Sequence, residues 1–262
     1  MLYYPTRTFL LQRGFLLCPG SNDSEIKELL IDLAPYKTDK ELIRIGGDAD
    51  GGYLIPNDLQ GIRYCFSPGV ADKSTFELDL ASRGIRSFLA DYSVDEPPIK
   101  SDMFHFTKKH LGSVNNGKFM TLQKWVESLV SSDTKDFILQ MDIEGGEYEV
   151  ILDTPTSVWE RFRIVVVEFH DLQDIFSQSG IRFIGHCFLK LLSSFCVVHI
   201  HPNNTLPLAG RNGLQVPSIM EITFLRRDRV RSSQRSELFP HPLDQPNCAD
   251  APDIVLPACW FR

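Results

Sequence analysis

Short apolar runs that end in polar or glycine-rich turns alternate along this chain with stretches of helical periodicity. Ile26, Leu29, Leu30 and Leu33 fall at i, i+3, i+4 and i+7, one face of a helix, with Ser21, Asp23 and Ser24 as cap candidates and Pro35 just beyond. Two short apolar runs flank Gly46-Gly47-Asp48-Ala49-Asp50-Gly51-Gly52, a strongly turning sequence that a plain hairpin would satisfy. Residues 61–70 read as a strand that breaks at Ser67-Pro68-Gly69. Residues 74–83 read as a helix stopped by Gly84, and 85–90 as a strand ending at Asp91. Strand, turn, helix and strand make a βαβ unit, which implies parallel strands joined by a right-handed crossover.

Further on, residues 104–111 fit neither period cleanly, while 121–129 carry helical periodicity behind a cap-like Thr121. Phe137-Ile138-Leu139-Gln140-Met141 supplies another strand, followed by a short helix over 147–152. Residues 163–169 are almost all apolar up to Glu168, as a strand covered on both faces should be. A helix over 183–192 and strands over 195–200 and 219–225 follow, the strands separated by a polar loop of Asn, Pro and Gly. The expected organisation is a helical extension (1–40), an α/β domain (41–228) and a Pro-rich tail packed on it (229–262).

Composition narrows the class. A chain of 262 residues with 43% hydrophobic and 23% charged content is ordinary for a globular α/β protein. The formal net charge of -7 argues against a nucleic-acid surface, and Arg226-Arg227-Asp228-Arg229-Val230-Arg231 is a local exception that reads as solvated. Six cysteines show neither a CxxC pair nor finger spacing, which suggests buried thiols in a reducing, cytoplasmic setting. Arg7 and Arg13 interrupt the apolar N-terminus, so neither a signal peptide nor a membrane span is expected.

The sharpest feature is the exit from the run at 137–141, Asp142-Ile143-Glu144-Gly145-Gly146-Glu147. If the strand continues through Glu144, the Asp142 and Glu144 side chains share a face. Two like charges there suggest a bound cation, a shared proton or solvent; alternatively the acids cap the following helix. Ser67/Gly69, Asp91, Asp142/Glu144 and Glu168/His170/Asp171 all stand at strand ends, which in an open parallel sheet line one crevice. A glycine turn with an acid roughly 20 residues later is a cofactor and ribose pairing, and Gly69 to Asp91 fits it. Without GxGxxG the turn lacks a pyrophosphate cradle. That disfavours nicotinamide and flavin and suits a nucleoside cofactor without a diphosphate, S-adenosylmethionine.

The DxEGxE run at Asp142–Glu147, Val165-Val166-Val167-Glu168-Phe169-His170 and Arg44-Ile45-Gly46-Gly47-Asp48-Ala49-Asp50-Gly51-Gly52-Tyr53-Leu54 resemble the FkbM-like family of class I methyltransferases over residues 42–225. The resemblance implies a Rossmann-like α/β sheet, mostly parallel with a C-terminal antiparallel strand and helices on both faces. It implies methyl transfer to a hydroxyl, often of a sugar. It also implies that Ser67, Gly69 and Asp72 meet the methionine part of the cofactor, Asp91 its ribose, and Asp142 the sulfonium. Asp50, Gly51, Gly52 and Tyr53 would close over the methionine end.

A sugar hydroxyl is a poor nucleophile and needs a base or a divalent ion. Asp142, Glu168 and His170 offer ligands for Mg, Mn or Zn, and Glu144 or His170 offers a base. His199 and His201 either project into the crevice or are partly exposed strand-end residues. His105 and His110 either contact acceptor or cofactor or, as expected first, lie at the surface; Trp125 and Trp159 are expected in the core, while Tyr53 has little local core to join. The expected function is S-adenosylmethionine-dependent O-methylation of a sugar or glycan, within a larger glycan-assembly polypeptide or complex. A metal-dependent hydrolase and a non-catalytic nucleoside- or glycan-binding domain are the alternatives.

Overall fold

The computed structural model describes residues 3–14 and 17–261. It opens with helices α1 (Tyr3–Leu11) and α2 (Asp23–Leu33), then the hairpin β1 (Leu42–Ile45) and β2 (Tyr53–Pro56). Strand β3 (Tyr64–Pro68), helix α3 (Thr75–Ser82), β4 (Arg86–Ala90) and β5 (Phe104–Thr107) follow. The short strands β6 (His110–Leu111) and β7 (Phe119–Met120) precede α4 (Leu122–Leu129) and β8 (Phe137–Met141). Next come α5 (Glu147–Asp153), α6 (Thr156–Trp159), β9 (Phe162–Phe169), α7 (Gln178–Ser194) and β10 (Phe195–Pro202). A small ribbon, β11 (Ala209–Arg211) and β12 (Leu214–Val216), leads to β13 (Met220–Arg226) and the tail.

The main sheet has the order β10-β13-β9-β8-β3-β4-β5. Pairs from β9 to β5 are parallel, and β13 is antiparallel to both β9 and β10. This is the Rossmann-like sheet expected, with its antiparallel strand drawn from the C-terminal part. Alternation along the strands divides the core. Phe66, Leu139, Val165 and Val167 join the cluster containing α2, α4 and α7, whereas Cys65, Ile138, Ile164 and Val166 join α3 and the β1–β2 hairpin. Helices therefore cover both faces. Among the described residues, no helix is long and apolar enough to cross a membrane.

Several boundaries differ from the periodicity. Only Tyr64–Pro68 of the 61–70 run is strand, because Gly61 turns with φ +83° before it. The ambiguous 104–111 stretch is two strands split at Lys108-Lys109. Helix α7 begins earlier than expected, where Ser177 accepts from the Gly180 N–H at 2.9 Å as an N-cap. Thr121 caps α4 as expected, accepting from Lys124 N.

Candidate functional site

Strand β3 pairs with β4 on one side and β8 on the other, so the winding direction reverses at β3. Open α/β sheets bind ligands outside the carboxyl ends of the strands at such a point. A crevice of about 440 Å³ lies there, within the range of small-ligand sites. Its back wall is fixed by Gly69. That residue has φ +88°, and a Cβ on it would sit 1.5 Å from the Asp142 carbonyl oxygen. Its N–H donates to Ala90 O at 2.9 Å. The β3 turn is thus clamped between the ends of β4 and β8, and only glycine fits.

The β1–β2 loop forms one rim. Arg44 ties it from within through Gly47 O and Ala49 O, while Gly47 N donates to Thr75 Oγ1 and Lys73 pairs with Asp50. Asp50, Gly51 and Tyr53 line the crevice, but Gly52 does not. Gly52 is the tight point of the loop, where a Cβ would meet Gly47 O at 2.1 Å. Tyr53 is 2% exposed and edge-on to Phe76. The expectation that it lacked a core fails because α3 packs against the hairpin and supplies one.

The acidic motif departs from an extended strand. Strand β8 stops at Met141, and Glu144 and Gly145 turn with φ +55° and +98°. The organiser is Glu147, fully buried, whose Oε1 accepts from Ile143 N and Gly145 N and lies 3.2 Å from His170 Nδ1. Glu144 therefore swings outward, its side chain 87% exposed, and its Oε2 comes to 3.4 Å from His170 Nε2. Asp142 Oδ1 lies 3.9 Å from the same nitrogen and has no hydrogen-bond partner among the described residues. One ligand atom from each of Asp142, Glu144 and His170 falls within 4.8 Å of the others.

Glu168 is not in that trio. It is buried and accepts from Asn203 Nδ2 at 2.7 Å and Tyr53 OH at 3.4 Å. This revises the expected metal set, because Glu168 stays within a regular strand on the α3 face, whereas the left-handed turn sends Glu144 toward His170. Burial, with Glu144, Glu147 and Asp50 adding to it against His170, pushes the Asp142 carboxyl up. Burial and then Asp142 do the same to Glu168. Burial opposes charge on His170, but Glu147, Asp142 and Glu168 outweigh it and push the imidazole up.

Behind the crevice runs a chain of buried polar groups. Ser67, Gln140 and Glu168 each stand two residues after a buried apolar residue of the α3 face, Cys65, Ile138 and Val166. Ser67 Oγ meets Glu77 Oε1 and lies 2.6 Å from Gln140 Oε1. Gln140 Nε2 donates to Tyr53 OH at 3.3 Å, and Tyr53 OH reaches Glu168. Ser67, fully buried and absent from the crevice wall, is thus a support and not a surface contact. The wall position falls to Glu77, which the sequence reading passed over. Its signal was an acid on the apolar face of a helix, between Phe76 and Leu80.

Asp72 lines the crevice and is exposed. Asp91 lines it too, with Oδ2 accepting from Ala71 N and Oδ1 from Ser93 N and Oγ. His110, expected at the surface, is on the wall beside Phe119. His199 and His201 are neither crevice groups nor partly exposed: both are buried and bonded to acids. Trp125 and Trp159 are core residues, as expected.

No protein-family model and no curated protein matches the sequence. Among solved structures, the chain is similar to one in a fibrillarin/Nop5p complex, with 12% identity, a TM-score of 0.39, and 64% of this chain and 74% of that one covered. It is also similar to a TehB-like SAM-dependent methyltransferase from Corynebacterium glutamicum (10%, 0.34, 86% and 97%). A third is magnesium protoporphyrin IX methyltransferase from Synechocystis with bound SAH (12%, 0.31, 64% and 75%). These overlaps are loose; the fold rests on strand order and the site on the contacts above.

Proposed function

We propose that this protein is an S-adenosylmethionine-dependent O-methyltransferase acting on a hydroxyl of a sugar or glycan. The observation that carries the reading is the Gly69–Asp142 clamp at the switch point, with Asp91 at the end of the next strand. It leaves a crevice suited to a nucleoside but without a diphosphate cradle. Walls rich in carboxylates suit a sulfonium. Methyl transfer is an in-line displacement, so the site must mainly hold donor and acceptor in line. Glu144 is the group to take the acceptor's proton, because it is exposed at the crevice while His170 is held cationic by its carboxylate neighbours.

The donor set also fits a divalent ion. The orphaned Asp142 Oδ1, the exposed Glu144 and His170 Nε2, once the ion displaces its proton, would hold Mg, Mn or Zn, with Glu147 orienting the ring through Nδ1. When bound, such an ion supplies a Lewis acid that raises hydroxyl acidity.

Isothermal titration with S-adenosylhomocysteine, followed by a mass-spectrometric screen of methyl transfer onto sugars, tests the reading. Saturable binding and a mass gain on a sugar hydroxyl are expected. No heat and no thermal shift would overturn it, and methyl transfer unchanged by exhaustive chelation would remove the ion.

A further inference from the structure

We propose that Glu77 is the crevice's receptor for the cationic nitrogen of its ligand, the α-ammonium at the methionyl end of the cofactor, and that it surrenders its own proton when that cation arrives. The proposal rests on the cofactor reading above. Helix α3 drives Glu77 into the sheet with Phe76 and Leu80, leaving it 2% exposed yet on the crevice wall. Among the described residues no Lys, Arg or His pairs with it. The groups packed against it are Cys65 and Ser67 from β3, and Gln140 lies beyond Ser67 on β8. The wall's other charges are mostly carboxylates, and Lys73 is committed to Asp50.

Proton accounting puts a hydrogen on Glu77. Gln140 turns its oxygen to Ser67 and its nitrogen to Tyr53. The single Ser67 hydroxyl proton then goes to Gln140, and the Glu77 carboxyl donates to Ser67 Oγ. Burial agrees, pushing this carboxyl up to about 7. The other acids are less suited to an ammonium. Asp91 spends both oxygens on the 71–93 turn region, and Asp142 faces His170. When an ammonium enters, the Glu77 O–H bond breaks, its proton leaves to solvent, and a carboxylate–ammonium pair forms. No other reactant is needed.

The experiment is titration calorimetry with S-adenosylhomocysteine at pH 6 in buffers of different ionisation enthalpy, which reads protons released per ligand bound. Release approaching one proton is expected, shrinking toward zero by pH 8. 5′-Methylthioadenosine, which lacks the amino-acid end, should bind without it. Glu77→Gln should abolish the release, weaken S-adenosylhomocysteine about 10-fold or more, and leave methylthioadenosine binding unchanged. Binding with no proton release, or release unchanged in Glu77→Gln, would overturn the assignment while sparing the cofactor reading. No binding by either nucleoside would overturn both. If the variant does not fold, the contrast between the two ligands on the native protein decides alone.

Discussion

Two histidine–carboxylate clusters stand at the same end of the sheet, beyond β9 and at the end of β10, and they are built oppositely. His199 and His201, at the end of β10, meet Asp244 at 2.9 Å, Glu221 at 3.4 Å and Asp253 at 3.3 Å, and the side chains of His199, His201, Asp244 and Glu221 are all under a tenth exposed. Asn247 adds a bond to Glu221, and Asn204 accepts from and donates to the tail backbone. That cluster is closed around its charges: the histidines and acids bind one another and strap the tail to the sheet. The His170 cluster is open. Glu144 is mostly exposed and Asp142 Oδ1 has no hydrogen-bond partner among the described residues, yet Glu147 anchors the imidazole from behind. Closed ion pairs hold a fold together once made; an open set with unmet acceptors, Asp142 Oδ1 and Glu147 Oε2, is free to meet a ligand.

The largest effect should come from exchanging the same mutation between them. Asp142→Ala removes a carboxylate whose burial outweighs its pairing with His170, so we expect unchanged or slightly raised stability. S-adenosylhomocysteine affinity or methyl transfer should fall by about 100-fold. Asp244→Ala strands His199 in the interior and leaves a half-buried N–H of His241 without its acceptor. Urea unfolding should show a loss of about 2–4 kcal/mol, with ligand affinity of the folded fraction preserved. Equal stability losses in the two variants would erase the distinction.

Acidity offers a second, smaller contrast. Burial works against charge on His201, but Glu221, Asp244 and Asp253 prevail and push it up to about 9 from its ordinary 6.5. The native state then holds an extra proton between those values. The cluster's contribution is complete below pH 6.5 and is lost as pH rises through 9. The ceiling is about 3 kcal/mol. Unfolding midpoints from pH 6 to 9.5 should fall in the native protein and fall less steeply in His201→Gln, where the pushed-up His170 still contributes. An identical fall in both would assign the loss elsewhere.

How much of this the sequence disclosed follows from the range of each interaction. Gly69, Asp91 and Asp142 were legible because an apolar run that stops at a polar residue marks a strand end, and strand ends converge in a parallel sheet. The side of Glu144 was not, since alternation carries it along the strand only if the backbone stays extended, and Glu147 pulls the backbone into a left-handed turn. Glu77 was hidden inside an amphipathic helix. His199 and His201 were visible as strand-end residues, but their partners Asp244 and Asp253 come from an aperiodic tail whose path no local pattern encodes.

The smallest effect on stability, and the finest test of openness, lies at Glu144. A non-glycine residue at φ +55° carries strain of order 1 kcal/mol, and its pairing with His170 is too exposed to return much. Glu144→Gly relieves the turn, though glycine's greater freedom when unfolded offsets part of the gain. The net change should lie within about 0.5 kcal/mol of zero. Function should move instead: methyl transfer falls, and the Mg or Mn concentration giving half-maximal rate rises about 10-fold as one of the three proposed ligands is lost. A stability loss above about 1 kcal/mol with normal metal response would make Glu144 a structural acid like those of the tail. The open cluster would then be open only in appearance.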